Sequence, residues 1–146
     1  LQRNKVKQAL PWVEMVHSLD SLRLAEEISL QAQKIGKTVE VLLQVNAAEE
    51  TQKSGVAVGA VPHLAEQVVS LPGIRLCGLM AMAPLTSDAG RVAWTFERTR
   101  EIFDDMAKER FLGSEFCHLS MGMSGDFEVA IEQGATLVRI GSAVFD

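Results

Sequence analysis

Two cysteines, Cys77 and Cys117, are all that the 146 residues contain. A disulfide-stapled scaffold needs more of them in a smaller chain, so that class is excluded. Both lie in apolar, strand-like stretches, where a free thiol serves as a small core residue; two buried thiols and a reducing, cytoplasmic setting are expected. Concentrated positive charge is also missing. The 14 basic residues are scattered apart from Arg3-Asn4-Lys5-Val6-Lys7, and the net charge is −5, which argues against a nucleic-acid surface. Apolar runs such as Val41-Leu42-Leu43 are too short to span a bilayer, and the start carries no secretory signal. With 47% hydrophobic and 23% charged residues, the chain has the profile of one soluble globular domain with a real core. It opens on Leu1 inside a polar segment and stops at Phe145-Asp146, so it reads as a fragment.

What is present is a repeated strand and helix. Val13 to Ser18 reads as a strand, followed by a helix capped by Asp20, with Leu24, Ile28, Ala32 and Ile35 on one stripe and Gly36 at its end. Thr38 to Val45 is a second strand. A polar loop from Ala47 to Gly59 precedes a helix with Pro62 near its start, and Pro72-Gly73 closes that unit. Ile74 to Met82 is the third strand. The longest helix is expected from about Ala89 to Leu112, with Val92, Phe96, Phe103 and Met106 on its apolar face. Phe116 to Met121 is the fourth strand, Asp126 to Gln133 a short helix, and Leu137 to Phe145 contains the fifth strand.

Strands that are apolar on both faces belong mainly to parallel sheets. Five units in 146 residues average about 29 residues each, against about 31 in a (β/α)8 barrel of about 250. A doubly wound open sheet fits the alternation as well, but no Gly-x-Gly-x-x-Gly follows a strand. The expected fold is therefore α/β, an incomplete TIM-type barrel of parallel strands alternating with helices.

In such a barrel the loops after the strands meet on one rim, and those after the last two strands often hold phosphate. Here they are Ser120-Met121-Gly122-Met123-Ser124 and Arg139-Ile140-Gly141-Ser142. Glycine lets main-chain amides approach an anion, and serine adds hydroxyl donors. Tight strand-to-helix turns would use the same residues without any ligand, so both readings stand. Arg139 lies within an apolar strand and needs partners there, either a ligand or a structural ion pair. His17 is a candidate ligand, though a lone histidine at a strand end is more often a satisfied hydrogen-bonder. His63 is expected on the surface. Neither a metal cluster nor a Ser-His-Asp arrangement follows from the spacings.

The segments LQRNK, HSLDS, LLQVN, KSG, GLMAM, LSMGMSGDFEVAI and VRIGSAVF together resemble the YggS/PROSC family of pyridoxal phosphate homeostasis proteins, in order along essentially the whole chain. The resemblance implies the alanine-racemase-like barrel, known as fold type III among pyridoxal phosphate proteins. Residues 1–146 would form a single domain, the C-terminal two-thirds of that barrel. It implies that Ser120, Gly122 and Ser124 bind phosphate from one loop, and Gly141 and Ser142 from the next. Arg139 would face the pyridine nitrogen, with Met121 and Asn46 lining the ring. The family's Schiff-base lysine and a later Gly-Glu-Asn segment have no match here and are expected upstream of Leu1. Lys53 occupies a rim loop where the family carries a lysine without using it covalently, and Asp146 replaces the family's glycine after the last phenylalanine.

The implied role is binding, buffering and delivery of pyridoxal 5′-phosphate, without turnover and without a metal. Pyridoxal-phosphate-dependent apo-enzymes are the candidate recipients, neither nucleic acid nor membrane is a partner, and the full-length protein is expected to be a monomer. A phosphosugar aldolase or isomerase on the same phosphate loops is the alternative. A third reading is a non-functional fragment with two unpaired sheet edges.

Overall fold

The computed structural model describes residues 1–51 and 54–145. Lys53 and Asp146 lie outside the described residues. Among the described residues five strands form one sheet: β1 (Met15–Leu19), β2 (Val39–Gln44), β3 (Ile74–Met80), β4 (His118–Met123) and β5 (Leu137–Arg139). Their order is β1-β2-β3-β4-β5 and every pairing is parallel. A short N-terminal helix, α1 (Val6–Ala9), precedes β1, and α2 (Leu22–Lys34), α3 (Val61–Val69), α4 (Ala89–Ala107) and α5 (Phe127–Glu132) connect the strands. A final turn, α6, spans Ser142–Phe145.

Alternation along the strands divides the sheet into two faces. Val39, Val41 and Leu43 of β2, with Leu76 and Leu79 of β3 and Leu119 and Met121 of β4, pack in one cluster with Leu24, Ile28, Val61, Val68, Phe96 and Phe103 from the helices. Leu42, Cys77 and Met80 form a separate buried cluster, joined by Met15 and Leu137. The sheet curls around this second cluster. His17 in β1 and Ser120 in β4 are three strands apart, which in a flat sheet is about 14 Å. Their side chains nevertheless hydrogen-bond at 2.8 Å, so the five strands form a half-barrel with a concave inner face.

The five-unit parallel alternation matches the sequence reading, and several boundaries shift. Ser21, not Asp20, caps α2, its side chain accepting from the Leu24 amide. Ile35 falls past the helix end and is exposed, while Gly36 takes the expected positive φ of 64°. Helix α4 stops at Ala107, five residues before the expected Leu112. The last strand ends at Arg139, and the apolar residues Val144 and Phe145 sit in an exposed helical turn rather than a strand. The expectation of two buried thiols is corrected: Cys77 is buried, but Cys117 precedes β4 and is exposed.

Candidate functional site

Because all strands run one way, their C-terminal ends (Leu19, Gln44, Met80, Met123 and Arg139) open on a single rim. Arg139 ties that rim together. Its Nη1 donates to Ser120 Oγ at 2.6 Å and its Nη2 to the Ala81 carbonyl at 3.1 Å, so one side chain of β5 holds the ends of β4 and β3. Burial pulls the guanidinium down from its ordinary value, opposed by the nearby Asp126 carboxylate. Among the described residues Arg139 makes no salt bridge. The structural ion pair that could have explained a buried arginine is therefore replaced by neutral acceptors.

Ser120 is fully buried and meets His17 on its other side, Nδ1 lying 2.8 Å from Oγ. Arg139 can only donate, so the hydroxyl accepts from it, and its own proton is free to go to His17 Nδ1. A neutral ring is favoured here: burial, then the positive charge of Arg139 and the neighbouring His118, lower the pKa of His17 from 6.5.

The loop after β4 is locked to the loop after β5. Ser124 Oγ accepts from the Gly141 amide at 3.2 Å and from the Ala143 amide at 3.1 Å. Two main-chain amides thus converge on one oxygen. Ser124 stands in the turn before α5 rather than at its first residue; Asp126 is the residue before the helix, and its Oδ1 accepts from the Met123 amide at 2.7 Å. Beside that turn lies an open cavity of about 240 Å³, lined by Ser124, Gly125, Asp126, Phe127, Glu128 and Val129. It is smaller than the roughly 300 Å³ at which ordinary ligand pockets begin, and suits one end of a ligand.

The remaining expected residues divide. Gly141 is open, with nothing within 4 Å of where a β-carbon would be, and Ser142 is exposed beside it. Gly122 has φ +102°, and a β-carbon there would sit 2.7 Å from that of Ala130, so this glycine seats α5 against β4. Met121 is fully buried in the layer between sheet and helices, on the opposite face of β4 from Ser120. Asn46 is occupied by its own loop, donating to the Glu50 carbonyl at 2.6 Å and accepting from the Glu50 amide at 3.2 Å. The structure thus brings Ser120 and Arg139 together in one group, and Ser124, Gly141 and Ser142 in another.

Sequence reasoning named His17 as a candidate ligand or a satisfied hydrogen-bonder, but did not pair it with Ser120 or assign the Ala81 carbonyl as an acceptor. His17 carried a signal, a polar residue between Val16 and Leu19 near a strand end; a main-chain carbonyl carries none. Among the described residues no group of His, Cys, Asp and Glu could hold a metal, and no helix is long and apolar enough to cross a membrane.

The model of the family described as alanine racemase, N-terminal domain, matches residues 1–146. The pyridoxal phosphate homeostasis protein of Aquifex aeolicus is 42% identical over 145 residues, 99% of this chain and 63% of its own length. The chain belongs to the YggS/PROSC group of the alanine racemase N-terminal-domain family. A protein of unknown function from Bifidobacterium adolescentis superposes with a TM-score of 0.92 at 40% identity, covering 99% of this chain and 58% of that one. PipY of Synechococcus elongatus, in a structure with PLP bound, gives 0.89 at 30% identity, covering all of this chain and 67% of that one. The chain spans about three fifths of the length of the curated family members it matches, 63% and 60% for the Aquifex and Pseudomonas aeruginosa proteins.

Proposed function

We propose that this chain binds pyridoxal 5′-phosphate and serves its homeostasis, by binding, buffering and delivering the cofactor without turnover of a substrate. The observation that carries this reading is the convergence of the Gly141 and Ala143 amides on the single oxygen of Ser124. A phosphate oxygen takes the same kind of place, accepting from main-chain amides that converge on one point. Gly141 leaves the approach open, and Ser142 adds a hydroxyl at the same turn.

Arg139 supports the second half of the assignment. It is half-buried, held by two neutral acceptors, and retains further N–H donors for a ring nitrogen. Bound pyridoxal phosphate supplies an aldehyde and an electron-withdrawing pyridine ring. A guanidinium facing the ring nitrogen disfavours its protonation and so weakens that withdrawal, which suits storage better than turnover. PLP-dependent apo-enzymes are the proposed recipients, in the cytoplasm, with the full-length protein acting as a monomer.

The test is a titration with pyridoxal phosphate and with pyridoxal, which lacks the phosphate. Pyridoxal phosphate should bind more tightly by about tenfold or more, the worth of a set of charge-assisted hydrogen bonds, and Ser124→Asp should erase that advantage. Equal affinity for the two ligands, or indifference to Ser124→Asp, would remove the phosphate assignment.

A further inference from the structure

The concave face holds one polar contact that the sequence neighbourhood does not require. His17 comes from β1 and Ser120 from β4, and they meet across the interior at 2.8 Å. Ser120 in turn receives Arg139 from β5. The three side chains form a line, guanidinium to hydroxyl to imidazole, with a direction fixed at its Arg139 end. A guanidinium has donors and no acceptors; the hydroxyl has one proton. Once Ser120 Oγ accepts from Arg139, the arrangement that satisfies both remaining atoms has Oγ–H donating to His17 Nδ1, with the ring proton on Nε2.

We propose that His17 is a positioning residue for Arg139: by accepting the Ser120 proton at Nδ1, it orients the hydroxyl lone pair that holds the guanidinium at the rim. The inference deepens the cofactor reading and rests on it for the purpose of Arg139, though not for the geometry.

The surroundings favour the neutral ring. The groups bearing on His17 are Arg139 from β5 and His118 from β4, and both act to lower its pKa. At the level of Ser120, β3 presents Met80, and Gln44 of β2 pairs with Met80, so neither strand brings a carboxylate there. Protonating Nδ1 would turn the acceptor into a donor, leaving two cations aimed at one hydroxyl oxygen. Arg139 would then lose the orientation of its acceptor, and the ring-nitrogen contact would loosen at acid pH.

A ligand-free and a ligand-bound measurement test this separately. Long-range nitrogen–proton NMR on the chain at pH 8 should show His17 with bare Nδ1 and protonated Nε2. Ser120→Ala should abolish that preference and broaden the Arg139 Nε–H signal. A protonated Nδ1 at pH 8, or an Arg139 signal unmoved in Ser120→Ala, overturns the proposal. In the binding arm, affinity for pyridoxal phosphate is measured at pH 8 and pH 5.5 in the unaltered chain and in His17→Asn. The asparagine oxygen can accept where Nδ1 did and does not titrate, so the ligand's own ionisation cancels in the comparison. The unaltered chain should lose about threefold more affinity over this interval than His17→Asn. Equal losses overturn the proposal. Failure of pyridoxal phosphate to bind any of these proteins overturns the cofactor reading alone, because the NMR result stands without it.

Discussion

Gly78 in β3 lies so close to β4 that a β-carbon on it would sit 1.8 Å from the His118 carbonyl oxygen. The obstacle is backbone on a paired strand, which no rotamer change relieves. Gly78 also stands at the register shift between Val41 and Leu42, where β3 advances one residue relative to β2. Gly78→Ala is therefore expected to destabilise the fold by about 3 kcal/mol or more. Gly141→Ala is the contrast. Nothing lies within 4 Å of its β-carbon position, and its stability cost should stay within about 0.5 kcal/mol. Urea melts of the two variants measure both costs.

The two cysteines should separate by reactivity. Cys117 is exposed and Cys77 buried, and burial together with the Glu40 carboxylate pushes the Cys77 thiol up to about 11. A thiol reagent at pH 8 should label one cysteine quickly, and Cys117→Ser should remove that fast phase. The second cysteine should react only on unfolding.

Ser124 joins two loops with its oxygen alone. Ser124→Ala leaves the Gly141 and Ala143 amides without that acceptor, but on an exposed rim where water can replace it. The expected stability loss is about 0.5–1 kcal/mol, while the preference for pyridoxal phosphate over pyridoxal should fall much further. Denaturant melts paired with the two-ligand titration distinguish these effects.

Stability should depend on pH through His17. Its pKa in the fold is lowered from 6.5, so below neutrality the unfolded chain holds more protons than the folded one. Stability is therefore greatest above pH 6.5, falls as the pH drops through that value, and levels off below the folded pKa. His17→Asn should flatten this part of the curve. Thermal melts between pH 5 and 8 read it directly.

The fold was legible in the sequence because parallel strands buried on both faces leave mostly apolar runs such as Val41 to Leu43, punctuated by Gly36, Pro62 and Gly73. The boundaries were less so. Ser21 and Asp20 are both good helix caps, and only the backbone geometry chooses between them. The rim residues followed from their position at strand ends, and alternation alone could have put Met121 on the face away from Ser120. The His17–Ser120 contact was not legible, because curvature brings together strands that are not neighbours in the sheet. Asn46 likewise looked available until its loop turned back onto it through Glu50.

The loops after β4 and β5 are proposed to hold the phosphate of pyridoxal phosphate. Amide chemical-shift mapping during a titration tests this assignment most directly. The largest changes should fall on the amides of Gly141, Ser142 and Ala143, and pyridoxal without its phosphate should leave them nearly still. Changes centred elsewhere, or equal changes with both ligands, would contradict it.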